Sequence, residues 1–166
     1  VFRRVQDAAH VEPIDAPIDG HTYTAGVDVA ASVDYTVVCI LDNGTKELVN
    51  MDRFNRVDYP TLEDRLETIY KRFKLSSMTI EVNSIGQGVI DHLAGRGMQI
   101  IPFQTTNATK QTAITALQAA FEHGEIGIIN NPVLINVLLS FESKRNASGS
   151  FSYSAPPSSH DDCVMA

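Results

Sequence analysis

Four acidic positions carry most of the chemistry this sequence can offer: Asp28, Glu81 and the adjacent Asp161 and Asp162. Asp28 stands in the run Gly26-Val-Asp-Val-Ala-Ala, and Glu81 in Met78-Thr-Ile-Glu-Val. Both runs are apolar and β-branched, as buried strands are. An acid inside such a run is costly to bury unless it is paired or bound to a metal. The plain alternative is an edge strand with its polar face in water. Asp161 and Asp162 follow Ser158, Ser159 and His160 at an expected helix start, where negative charge is favoured. Taken singly, each acid is more often structural than catalytic, and His160 alone reads as a capping or surface residue. If the acids converge, their mutual repulsion calls for cations. Ligands that are all oxygen suit Mg²⁺ or Mn²⁺ better than zinc. Two such ions roughly 4 Å apart can clamp a phosphodiester for in-line displacement. The bridging carboxylate must sit on the most rigid element, which suits Asp28.

The elements that position these acids follow from pattern. Residues 22–42 read as two strands joined by a tight turn, with Asp34 opening the second. Asp42-Asn-Gly-Thr45 predicts a hairpin turn, since Asn-Gly takes positive φ readily. Residues 46–54 then form a third antiparallel strand. Pro60 marks the first turn of a helix with its stripe at Leu62, Leu66, Ile69, Tyr70 and Phe73. A short strand follows at 78–82. Ser84 is expected to cap a helix with Ile85, Val89, Ile90 and Leu93 inward, ending near Gly95 and Gly97. A strand at 98–103 completes a parallel, right-handed unit. Thr106 or Asn107 opens a helix with Ala113, Ile114, Leu117, Ala120 and Phe121 inward and Gly124 as its stop. Pro132 starts another, through Leu134, Val137, Leu138 and Phe141. Residues 142–155 read as an exposed hairpin centred on Asn146-Ala-Ser-Gly149. Ser158 or Ser159 caps the last helix. Gly86-Gln-Gly88 is only part of a dinucleotide fingerprint and reads as a helix start.

Composition narrows the function classes. A chain of 166 residues with 43% hydrophobic and 20% charged residues fits one globular domain. No apolar run approaches the roughly 20 residues of a membrane span. Cys39 and Cys163 do not make a disulfide framework, and reduced packing thiols are expected. The net charge of −7 argues against a generic nucleic-acid binder unless cations neutralise the acids. Residues 1–22 are expected to form an arm or linker and 23–166 the domain. The opening Val1 and the close at Cys163-Val-Met-Ala166 suggest a domain of a larger protein.

Gly26-Val-Asp-Val-Ala-Ala, Asp34, Thr79-Ile-Glu-Val-Asn and Ser159-His-Asp-Asp-Cys-Val-Met-Ala166 resemble the nuclease domain of the large terminase subunit of tailed bacteriophages. Gly124-Glu-Ile-Gly-Ile-Ile-Asn-Asn-Pro132 is similar to that family's connector. The resemblance runs from about Tyr23 to Ala166 and rests on motif order. It implies an α/β fold, a ribonuclease H-like mixed sheet of three antiparallel strands plus parallel strands, flanked by helices. It implies metal-dependent endonucleolytic cleavage of double-stranded concatemeric DNA during genome packaging, with two Mg²⁺ or Mn²⁺ ions and little sequence preference. The family's ligands map onto Asp28, Glu81 and Asp162, with Asp161 as auxiliary and Asp34 as a further acid near the metals. The implied partners are double-stranded DNA and, in the full protein, an ATPase motor domain, the portal and the small terminase subunit, in the host cytoplasm and with no membrane. No Gly-rich phosphate loop with Lys-Ser/Thr is present, so the motor is not in this chain. DNA contact is expected from Lys110, Lys144 and Arg145, each of which alone reads equally well as solvated surface charge. The alternatives are a Holliday-junction resolvase-like nuclease, an actin-like ATPase lobe and an inactive docking module.

Overall fold

The computed structural model describes residues 1–30, 33–83, 85–145, 147, 149, 151–154 and 162–166; at 142–145 and 151 it describes the backbone alone. A short helix, α1 (Val5–Ala8), precedes the three strands β1 (Tyr23–Asp28), β2 (Thr36–Asp42) and β3 (Glu47–Phe54). Helix α2 (Tyr59–Arg72), strand β4 (Ser77–Glu81), helix α3 (Gly86–Gly95) and strand β5 (Ile100–Phe103) follow. Then come α4 (Asn107–Glu122), α5 (Pro132–Ser140), the hairpin β6 (Glu142–Arg145) and β7 (Phe151–Ser154), and α6 (Asp162–Met165). The main sheet has the order β3-β2-β1-β4-β5. Strand β1 is central, antiparallel to β2 and parallel to β4. The expected α/β mixed sheet, three antiparallel strands extended by parallel ones, is therefore present.

Alternation along β1 sorts the layers. Tyr23, Ala25 and Val27 are buried on one face, where Tyr23 meets Phe73 edge-on at 5.7 Å between ring centres. Helices α2 and α3 cover that face. Leu62, Leu66, Ile69 and Phe73 are buried as their spacing requires. Gly26 and Asp28 point to the other face, where α6 packs on β1 and β2. Helix α4 keeps Ile114 and Phe121 buried there, while Ala113, expected inward, is exposed. The arm ahead of β1 packs into the same core: Phe2, Val5, Ala8 and Val11 are buried, and Phe2 lies 5.6 Å from Phe121 and 5.5 Å from Phe141.

Capping follows the expected chemistry in most places. Asp58 caps α2, Thr106 and Thr109 form a reciprocal capping box on α4, and Asn131 caps α5. The expected caps Ser84, Ser158 and Ser159 lie outside the described residues. At α3 the Asn83 side chain accepts from the N–H groups of Ile85 and Gly86. Glu63, buried on α2, accepts from His92 Nδ1 at 2.7 Å and from Arg96 at 3.4 Å, and so ties α2 to α3.

The β2–β3 turn differs from expectation. Its left-handed residue is Lys46, at φ 58°, not Gly44. The organiser is Asp42, whose carboxylate accepts from the N–H of Gly44 at 2.9 Å and of Thr45 at 3.1 Å and pairs with His21 Nδ1 at 2.5 Å. Burial alone would raise the Asp42 pKa, but the His21 hydrogen bond and the two backbone donors hold it below the ordinary carboxylate value. A carboxyl with a lowered folded pKa stabilises the fold above its unfolded pKa of about 3.9 and loses that contribution as pH falls through the folded value. The melting temperature of Asp42→Asn is therefore expected well below that of the parent at pH 7. The gap narrows as both are melted at successively lower pH from about 4 downward. A gap that stays constant down to acid unfolding would contradict this account.

Candidate active site

Asp28 is the last residue of β1, and Glu81 the last of β4. Neither lies in mid-strand; both sit where the sheet opens toward solvent, and both are half-buried. That placement lowers the cost of an acid in an apolar run. Val27 pairs with Ile80 in the parallel β1–β4 ladder. One step further, Asp28 and Glu81 stand side by side and share a face. In open sheets, ligands are taken up at these carboxyl ends of parallel strands.

Two glycines bring the covering helices close. A Cβ on Gly86 would lie 2.2 Å from the Glu81 carbonyl oxygen, so α3 starts hard against the backbone that carries Glu81. A Cβ on Gly26 would lie within 2.0 Å of the Ala166 carbonyl oxygen, so the end of α6 rests directly on the central strand. Helix α6 thereby carries Asp162, half-buried, over the face that holds Asp28.

Cys163 reports the local field. Burial pushes its thiol up to about 11; the Asp162 and Asp28 carboxylates push the same way, and Arg53 pushes against them. Asp28 and Asp162 thus both lie within electrostatic reach of one buried sulfur. Cys39, fully buried beneath it, is also driven far above the ordinary thiol value by burial and by Cys163. Both cysteines are free, as expected of packing thiols.

Among the described residues, no three His, Cys, Asp or Glu side chains stand close enough together to hold one ion. Asp161 and His160 lie outside the described residues. Asp34 lies in the loop two residues ahead of β2 rather than opening it, and is exposed. It lines a separate cleft with Thr36, Asn55, Arg56 and Tyr59. Lys110 is half-buried near the start of α4. Lys144 and Arg145 lie on β6, and their side chains are not described. Beside Glu81 a mainly apolar cavity of about 190 Å³ runs between the sheet and helices α4 and α6, lined by Gly26, Phe103, Ile114, Leu117 and Val164.

One residue of this face escapes a reading of the sequence. Arg53 pairs with Val37, and Val37 pairs with Asp28, so Arg53 occupies the same row as Asp28 and Glu81. Its guanidinium carbon lies 3.5 Å from the centre of the Tyr35 ring.

The donor chemistry fits hard divalent cations: carboxylate oxygens, side by side, at the open end of a rigid parallel pair. Among the described residues no helix is long and apolar enough to cross a membrane.

Comparison with known proteins places the fold in a family. The chain is 25% identical over 147 residues to the large terminase subunit of Thermus virus P23-45, covering 88% of this chain and 30% of that protein. It is 24% identical over 147 residues to the corresponding subunit of Thermus phage G20c. The chain therefore spans about 30% of the length of these curated relatives. Among solved structures, the large terminase nuclease of phage G20c with bound magnesium superposes with a TM-score of 0.86 at 22% identity, covering 96% of this chain and 89% of that one. The large terminase of bacteriophage HK97 superposes at 0.70 with 17% identity, covering 92% of this chain and 38% of that one. The family profile described as Terminase RNaseH-like domain matches residues 25–166, from within β1 through α6, and the chain belongs to that family.

Proposed function

We propose that this domain is a metal-dependent endonuclease that cleaves double-stranded concatemeric DNA during viral genome packaging, with little sequence preference. The observation that carries the reading is the side-by-side placement of Asp28 and Glu81 at the open ends of β1 and β4, with Asp162 brought to the same face by α6. Asp28, Glu81 and Asp162, with Asp161 as auxiliary, would hold two divalent cations, Mg²⁺ or Mn²⁺. When bound, such a pair supplies water activation and charge neutralisation for in-line hydrolysis of a phosphodiester. The G20c nuclease has been solved with magnesium and also with cobalt, which supports a divalent site in this one.

The chain's own residues do the positioning. Asp28, on the central strand, would be the most rigidly placed of the carboxylates that hold the cations. Glu81 is held beside it by the parallel ladder and by the close approach of α3 at Gly86. Asp34, on its exposed loop, is a conditional ligand. The net charge of −7 repels DNA at long range, so contact falls to local cations. Lys110 and, on the β6–β7 hairpin, Lys144 and Arg145 would bind phosphates without reading bases. In a full-length protein the domain would work beside an ATPase motor, the portal and the small terminase subunit in the host cytoplasm.

The reading is tested with linear duplex, plasmid and four-way-junction DNA, each incubated with Mg²⁺, Mn²⁺ or a chelator. Cleavage of duplex and plasmid in metal, and none in chelator, is the expected result. Strong preference for the junction would replace the packaging nuclease with a resolvase. No cleavage of any substrate, with no metal binding by calorimetry, would leave a docking module.

A further inference from the structure

The acidic face contains a fixed cation that the nuclease reading does not use. Arg53 lies two strands from Asp28, about 10 Å across the sheet at about 4.8 Å per strand, with only Val37 between them in the row. A guanidinium on that row shares the face of the acids. Its plane is held by the Tyr35 ring, 3.5 Å from its centre. Its charge also acts on the Cys163 thiol, on the residue next to Asp162, and opposes the upward push of burial there. Its Nε is buried and has no hydrogen-bond partner among the described residues. A buried donor left unpaired costs stability. A surface arginine would simply turn it to water, so Arg53 is held here by its other contacts.

The row is set by an irregularity in the β2–β3 ladder. Asp42 pairs with Glu47 and Leu41 with Leu48, but past a bulge between Ile40 and Leu41 the ladder shifts by one. Without the bulge, Val37 would face Asp52. With it, Val37 faces Arg53, and Asp52 turns to the opposite face, where it accepts two hydrogen bonds from Arg65 at 2.6 and 2.7 Å. The bulge therefore exchanges an acid for a cation on the face that carries Asp28.

The geometry points to Arg53 as a positioning residue of the acidic site, one that clamps the first turn of α6 between Tyr35 and the sheet so that Asp162 faces Asp28 and Glu81. This inference rests on the metal-site reading of those acids. Two roles for Arg53 predict opposite signs. A cation that acted only by its charge would repel incoming metal, and its removal would tighten binding. A cation that acts by placing Asp162 supports the ligand set, and its loss weakens binding.

Mn²⁺ binding is measured by calorimetry on the intact chain, alongside melting without metal, for Arg53→Met, Arg53→Lys, Tyr35→Ala and Tyr35→Phe. Arg53→Met is expected to raise the Mn²⁺ dissociation constant about tenfold or more, within the range for residues that orient metal ligands. Arg53→Lys keeps the charge but loses the planar fork, and is expected to weaken binding likewise. Tyr35→Ala follows them, whereas Tyr35→Phe keeps the ring and the parent affinity. Unchanged or tighter binding in both Arg53 variants overturns the inference, as does a lowered melting temperature with parent affinity. If the parent chain itself binds no Mn²⁺, the metal-site reading falls and this inference falls with it; parent binding with insensitive variants removes this inference alone.

Discussion

Asp28→Asn is expected to reduce metal-dependent plasmid cleavage by at least about 10³-fold, equivalent to about 4 kcal/mol of transition-state stabilisation. The substitution keeps the shape of the side chain and removes its charge. In the proposed site Asp28 is the carboxylate that would bridge two cations, and an amide oxygen neither carries the charge nor bridges as well. The fold is expected to tolerate the change. Asp28 is half-buried at the end of β1, and the strand is anchored by Tyr23, Ala25 and Val27 on the opposite face. One of two neighbouring like charges is also removed, which relieves repulsion with Glu81. Plasmid cleavage at saturating Mn²⁺ and melting without metal, measured together, separate the effects. Full cleavage by the variant would remove Asp28 from the catalytic set. Lost cleavage with a collapsed melting temperature would make it a structural residue.

Much of the candidate site is legible in the sequence, because its two strand acids break an otherwise apolar pattern. Asp28 and Glu81 are conspicuous among Val27, Val29, Ile80 and Val82. The order of elements was legible for the same reason: stripes at helical spacing and short β-branched runs state their period directly. What was not legible depends on pairing across the sheet. Arg53 looks like any strand cation until the bulge at Ile40 and Leu41 assigns it to the Asp28 face. The β2–β3 turn misled because Asn-Gly is a strong local signal, whereas the Asp42 carboxylate, by binding the N–H groups of Gly44 and Thr45, sets the loop and leaves the positive φ to Lys46. Glu63 was invisible as a buried acid because its partners, His92 and Arg96, come from a different helix. The arm at 1–22 carries apolar residues at Phe2, Val5, Ala8 and Val11, a spacing that reads weakly over so short a segment.

The same dependence on close packing makes Gly26 a sensitive position. Gly26→Ala is expected to reduce cleavage by about 10²-fold or more, the scale that follows from misplacing a catalytic group by about 1 Å. Gly26 lies on the central strand, two residues before Asp28 and on its face. An added Cβ would fall within 2.0 Å of the Ala166 carbonyl oxygen and 3.2 Å of its carbon, which are backbone atoms and cannot rotate away. Either β1 or α6 must move, and β1 is held by ladders on both sides. Helix α6 is a single turn with no ladder, so it shifts and carries Asp162 away from Asp28. The stability cost is that of a small overpacking, about 1–3 kcal/mol, a drop of several degrees in melting temperature. Weaker Mn²⁺ binding by Gly26→Ala, with the sheet intact by circular dichroism, would trace the loss to the placement of Asp162. Parent-level cleavage and binding would mean that α6 does not set the acidic site, and would count equally against the clamp assigned to Arg53.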